Sequence, residues 1–86
     1  MVMPHASHPD IVKRLKRAEG HLRSVIAMIE AERPCVDLAQ QLHAVEAAVA
    51  NAKRELIHDH IEHCLDGPEG DIKTAMRELK QLAKYL

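Results

Sequence analysis

The sequence predicts an all-α chain, and three observations predict it. Ala, Leu, Ile, Val, Glu, Lys and Arg dominate an 86-residue chain that has no Phe, no Trp and a single Tyr, Tyr85. That composition belongs to long helices around an aliphatic core. Apolar residues recur at alternating spacings of four and three through two long segments, the period of one helix face. Pro34 and the run Asp66-Gly67-Pro68-Glu69-Gly70 separate the segments, where proline and glycine interrupt helical hydrogen bonding.

The first helix is expected over 8–31. Ser7 precedes it as an N-cap residue, and Pro9 in the first turn has the right fixed φ. Its stripe is Ile11, Leu15, Ala18, Leu22, Val25 and Ile29. Gly20 lies inside the stripe's span and reads as a close-packing point, not a stop. The second helix is expected over 35–65, opened by Pro34. Its stripe is Leu38, Leu42, Val45, Val49, Ala52 and Leu56, and the segment continues helically through His60 to Cys64. A third helix, 71–84, carries Ile72, Met76 (or Ala75), Leu79, Leu82 and Ala83. No repeat or low-complexity tract divides the chain, so residues 1–86 form one domain.

A core this small gives marginal stability alone. The third helix is half as long as the second and cannot cover its apolar stripe. The expected architecture is therefore a three-helix protomer whose first two helices make an antiparallel hairpin. Two hairpins pair into a four-helix bundle.

Net charge is −1 with His neutral, which excludes a uniformly basic nucleic-acid binder but not a local basic patch. Lys13, Arg14, Lys16, Arg17 and Arg23 put five positive charges into eleven residues of the first helix, against Glu19 alone in that span. No apolar run approaches the ~20 residues of a membrane span, and Met1-Val2-Met3-Pro4-His5 has no signal-peptide layout. The expected compartment is the cytoplasm, where thiols stay reduced. Two separated cysteines then read as metal ligands or core residues, not a disulfide.

Seven His and two Cys are the unusual feature. His60 and Cys64, four apart on a helix, share one face, the spacing that lets two side chains grip one metal ion. His58 and His63 lie close by, His63 as a further donor. Cys35 stands at the other end of the same helix, 25 residues before His60. At ~1.5 Å per residue that is roughly 37 Å, so one chain cannot bring the two together. Two copies can, if their second helices lie antiparallel, and the two-fold axis then generates two identical sites. The midpoint of Cys35 and His60 falls between Ala47 and Ala48, in the Ala/Val-rich middle of the helix where backbones can approach closely. Counting back from a turn near Arg33 brings His8 beside His58 and His5 near Ile61, so either can supply a fourth ligand. Two thiolates and an imidazole suit Cu(I), and a further nitrogen suits Ni(II), Co(II) or Zn(II).

With these residues in place, the chain resembles the family of small helical metal- and aldehyde-responsive repressors typified by CsoR, RcnR and FrmR. The resemblance spans nearly the whole chain. Lys13-Arg14 to Glu19-Gly20-His21 looks like that family's basic first helix. Cys35, Gln40-Gln41-Leu42, the Ala-rich stretch to Asn51, His60 and Cys64 follow its second helix. The resemblance implies dimers of helical hairpins, usually assembled as tetramers, that hold operator DNA when empty and release it when the effector binds. It implies Cys35, His60 and Cys64 as the ligands, as in copper and nickel sensors, with His5 placed like the N-terminal histidine of nickel sensors. Glu46 stands where many members carry an arginine tied to DNA binding, with Lys53 and Arg54 as its partial replacements, and two further positions depart from the copper-sensor pattern. Pro34 stands where a tyrosine is common, and Glu78 is the nearest candidate for a glutamate of helix three that lies behind the metal ligands.

The expected function is a metal-responsive transcriptional repressor. Lys13, Arg14, Lys16 and Arg17, with Lys53 and Arg54, would hold DNA phosphates, and Cu(I) or Ni(II) binding would release the operator. No recognition-helix motif is visible, so shape and charge carry much of the affinity. The competing readings are a formaldehyde-responsive repressor using Cys35 and a metal buffer that does not bind DNA. No nucleophile–base–orienter set suggests an enzyme.

Overall fold

The computed structural model describes residues 7–66, the last four of them as backbone, and 72–86. Among the described residues there are three helices and no strand: α1 (His8–Glu30), α2 (Cys35–Asp66) and α3 (Ile72–Ala83). The expected ranges hold to within a residue at each described end. α1 and α2 form a slender antiparallel hairpin, and α3 packs more sparsely on α2. The molecule measures 55 × 23 × 15 Å, about two helices wide and little more than one deep.

The helix ends follow from local chemistry, with one surprise at each end of α1. The Ser7 carbonyl accepts the Ile11 N–H at 2.9 Å, so Ser7 holds the cap position. Its backbone is already helical (φ −83°, ψ −14°), and its hydroxyl makes no cap hydrogen bond. The expected cap residue is right and its expected chemistry is not. A helical backbone turns Oγ away from the N–H groups that an extended cap residue would reach.

At the other end, Arg33 N–H bonds to Met28 C=O at 3.1 Å and Glu32 N–H to Ile29 C=O at 3.0 Å. This crossed pair is the Schellman closure of a helix. It places Glu32 at φ 57°, the left-handed region that glycine normally fills. The Pro34 carbonyl then accepts the Leu38 N–H at 3.1 Å, opening α2 where a proline has no N–H to lose.

Packing splits each apolar stripe in two. Ile11, Ala18 and Val25 of α1 and Val45 and Ala52 of α2 are 0% to 7% exposed. The alternate members, Leu15, Leu22 and Ile29 with Leu42, Val49 and Leu56, are 41% to 50% exposed. One heptad position thus zips the hairpin and the other is left bare along its length. Polar ties brace the seam: Arg14 Nη1 donates to Glu55 Oε1 at 2.6 Å, and His21 Nε2 lies 2.6 Å from Gln41 Oε1.

Three expectations need correction. α1 runs through Gly20 as expected, but a Cβ there would meet nothing within 4 Å. It is no close-packing point within the chain, because it sits on the side of α1 opposite the seam. On α3, Ala75 is the half-buried alternative, while Met76 is 53% exposed. The second stripe also omits Ile57, which is buried. Ile57 lies about 100° around the helix from Leu56, away from α1; α3 is the other element packed on α2.

Glu32 supplies a test of the turn. Replacing Glu32 with Gly removes the Cβ penalty of the left-handed region. Its stability should rise by about 0.5–1 kcal/mol, read from urea unfolding at fixed protein concentration. A loss of stability would mean that Glu32 holds the turn through its side chain.

Candidate metal centre and nucleic-acid interface

The candidate ligands are distributed by α2. Cys35 is its first residue and is exposed. His60 sits more than six turns on and is half-buried. The helix is unbroken between them, so the separation of roughly 37 Å stands. Accordingly, no group of three or more metal-donor side chains forms among the described residues of one chain. Around the helix, positions 35, 60 and 64 fall within about 60° of Val49, on the side that carries the bare half of the stripe.

His60 is the best-defined member. Its Nε2 is buried and lies 2.6 Å from Glu78 Oε1 of α3, an ion-pair contact whose angles fall short of a hydrogen bond. α3 therefore delivers a carboxylate to the back of the imidazole. A carboxylate on one ring nitrogen fixes the tautomer and orientation and leaves the other, Nδ1, for a metal. Glu78 was the candidate acid that the sequence offered in helix three. The side chains of Cys64 and His63 lie outside the described residues, as does the whole of His5. His8 opens α1 and is half-buried. Its neighbour Ser7 lines the same cleft as Arg54, Glu55, His58, Asp59 and Glu62, so the start of α1 does lie at the His60 end of α2.

The basic residues sort into three groups. Lys13, Lys16 and Arg17 are exposed on α1 and make no ion pair among the described residues. Arg14 is engaged by Glu55 at 2.6 Å and more loosely by Asp10 at 3.9 Å, while Arg54 donates to Asn51 Oδ1. Lys53 stands apart, about 40° around α2 from Val49, on the bare-stripe side and not beside the α1 cations. Five of the six expected cations thus lie along the hairpin's other flank and outer surface.

Sequence reading missed Glu55, His21 and Gln41 as a set. The signal was present: a hairpin that turns near Arg33 brings Arg14 level with residue 52, within a turn of Glu55. Charge counting along one helix does not look across the seam.

The sequence and the helical fold both have known relatives. A family model described as "Metal-sensitive transcriptional repressor" matches residues 7–86. The copper-sensing transcriptional repressor CsoR of Bacillus subtilis is 41% identical over 76 residues, 86% of this chain and 75% of that protein. The copper-sensing transcriptional repressor RicR of Mycobacterium tuberculosis is 36% identical over 69 residues, 73% of this chain and 72% of that one. Among solved structures, the nickel-responsive transcriptional regulator InrS superposes with a TM-score of 0.82 at 34% identity, covering 100% of both chains. A chain matched over this length by that family model and by these relatives is a regulator and not an enzyme, and it belongs to the metal-sensitive transcriptional repressor family.

Proposed function

We propose that two copies pair through the bare stripes of their hairpins, α2 against α2 and antiparallel. Cys35 of one copy then binds Cu(I) or Ni(II) together with His60 and Cys64 of the other. The observation that carries this is a coincidence of centres. The bare residues of α2, Leu42, Val49 and Leu56, are symmetric about Val49. The level midway between Cys35 and the His60/Cys64 pair falls between Ala48 and Val49. Covering the apolar stripe symmetrically therefore brings Cys35 level with the partner ligands. Including Cys64 moves the centre by one residue from the Ala47/Ala48 midpoint of Cys35 and His60 alone.

The donor set suits the proposed ions. Thiolates and imidazole favour Cu(I) and Ni(II) over harder cations, and Glu78 holds His60 Nε2 so that Nδ1 is the nitrogen presented. His8 or His5 adds a nitrogen donor, which Co(II) or Zn(II) would also require, with His63 in reserve. A bound ion supplies a tie between the start of one α2 and the end of the other.

The rest of the function follows from charge. Residues 1–86 act as one unit in a cytoplasmic dimer of dimers, with Lys13, Arg14, Lys16, Arg17 and Arg54 facing the phosphates of operator DNA. Lys53 joins them less directly. The metal-free form binds DNA; the metal tie changes how the hairpins pack, so that the basic surfaces no longer match the duplex. Linkage makes this reciprocal: DNA weakens metal binding by the factor by which metal weakens DNA binding.

The shared site is tested by mixing two defective chains. Cys35→Ala and His60→Ala should each lose tight metal binding, by orders of magnitude in a chelator-competition titration. An exchanged one-to-one mixture should recover about one site in four, because only heterodimers rebuild one intact site of two. No recovery on mixing would rule out ligands drawn from two chains. In the same titration, Glu78→Ala should weaken the metal about 10- to 100-fold, as loss of the carboxylate that orients a ligating histidine does. Fluorescence anisotropy of the apo-protein on its own promoter should show salt-sensitive DNA binding that metal abolishes. No binding in any metal state would end the repressor reading in favour of a metal buffer.

A further inference from the structure

We propose that the cleft between α1 and α2 beside Arg14 and Arg17 seats a phosphate of the DNA backbone, and that Glu55 is a built-in competitor for it. The inference rests on the DNA-binding reading above and adds to it a seat and a brake. The cleft has a volume of about 380 Å³ and is lined by Arg14, Arg17, Ala18, His21, Ala48 and Asn51. Two guanidinium groups therefore share one concave surface at the seam. Arg17 makes no ion pair among the described residues. Asn51 gives its Oδ1 to Arg54, which leaves its NH₂ as a donor. His21 is committed to Gln41 across the seam and forms a fixed wall.

Arg14 has the chemistry for a phosphate but is already occupied. Its Nη1 lies 2.6 Å from Glu55 Oε1, the same charge-assisted bond that a phosphate oxygen would accept. Asp10, at 3.9 Å, is the weaker rival. Glu55 thus stands in for the anion. Arg14 and Glu55 are 44% and 42% exposed, so water screens the pair and the exchange is shallow. A phosphate displaces the carboxylate without unfolding the seam. While the pair is closed, Arg14 adds almost nothing to counterion release; once opened, it adds one phosphate contact per protomer. Glu55 sets how tightly the repressor holds DNA and does not block it.

The test is anisotropy of a labelled duplex from the chain's own promoter with the metal-free protein at several salt concentrations. Glu55→Gln should tighten binding about two- to fivefold for each engaged cleft. It should also steepen the log–log salt slope, by up to about 0.9 per cleft in proportion to the natural complexes in which the pair stays closed. The same substitution on an Arg14→Ala background should give no gain. Glu30→Gln, an equal charge change on exposed α1 surface about 24 Å along the helix from Arg14, should also give none. Circular dichroism checks that each variant is folded. If the natural chain binds and Glu55→Gln leaves affinity and slope unchanged or lowers them, Glu55 is a strut and the proposal is wrong. An equal gain from Glu30→Gln, or a gain that survives loss of Arg14, would reduce the effect to bulk charge. If only Glu55→Gln binds, the brake is stronger than argued and the proposal stands. If neither chain binds at any salt, the DNA-binding reading itself fails, and this seat with it.

Discussion

An unbroken α2 is the constraint on which the rest depends. At 32 residues it is about 48 Å long, nearly the full length of the molecule. A helix cannot bend its first residue back to its last quarter without breaking backbone hydrogen bonds, and nothing between Cys35 and Asp66 breaks them. Donors placed at both ends of such a rod are useless to one molecule and well placed for two. The same length governs packing. α1 pairs with α2 along one side only, and α3, with 12 residues, reaches only its far end.

The divided stripe shows how one sequence pattern serves two interfaces. Residues seven apart recur on nearly the same side of a helix, and residues four or three apart flank that line. Ile11, Ala18 and Val25 turn toward α2, while Leu15, Leu22 and Ile29 turn aside by about 40° and stay bare. Covering such a half-exposed side chain contributes on the order of 1 kcal/mol, and the two stripes offer six in parallel rows, with Ile26 exposed beside them. A hairpin one helix deep has little other interior to draw on, so the proposed pairing would couple association to folding in a chain of this size.

The helices were legible because their signals are local and agree: composition, a four–three period, and proline or glycine at the breaks. The separation of the candidate donors was legible because spacing along a straight helix is also distance in space. Three features resisted for separate reasons. The left-handed turn carries Glu32 where sequence habit looks for glycine, so no residue announces it. The capping serine sits in a helical conformation, which sequence does not encode at one position. The Arg14–Glu55 and His60–Glu78 contacts join residues 41 and 18 apart, and they become visible only once the helices are folded against one another. Ile57 belongs with these: its burial depends on α3, whose docking side a short stripe leaves ambiguous between Ala75 and Met76.

The scale of the proposed switch can be argued from symmetry. Driving a repressor from almost wholly bound to almost wholly released takes about 5.5 kcal/mol of differential affinity. A single site would have to distinguish the two states about ten-thousand-fold, a severe demand on three or four donor atoms. A dimer of dimers carries four such sites, and the same total then needs only about 1.4 kcal/mol each, roughly tenfold in metal affinity. A small misfit between the ligand tips in the DNA-holding arrangement suffices for that, relieved when two rods slide or rotate slightly along their shared apolar stripe. Because each α2 carries both its donors and Glu55 on one continuous helix, such a shift moves the metal end and the arginine clefts together, and no separate relay between them is required.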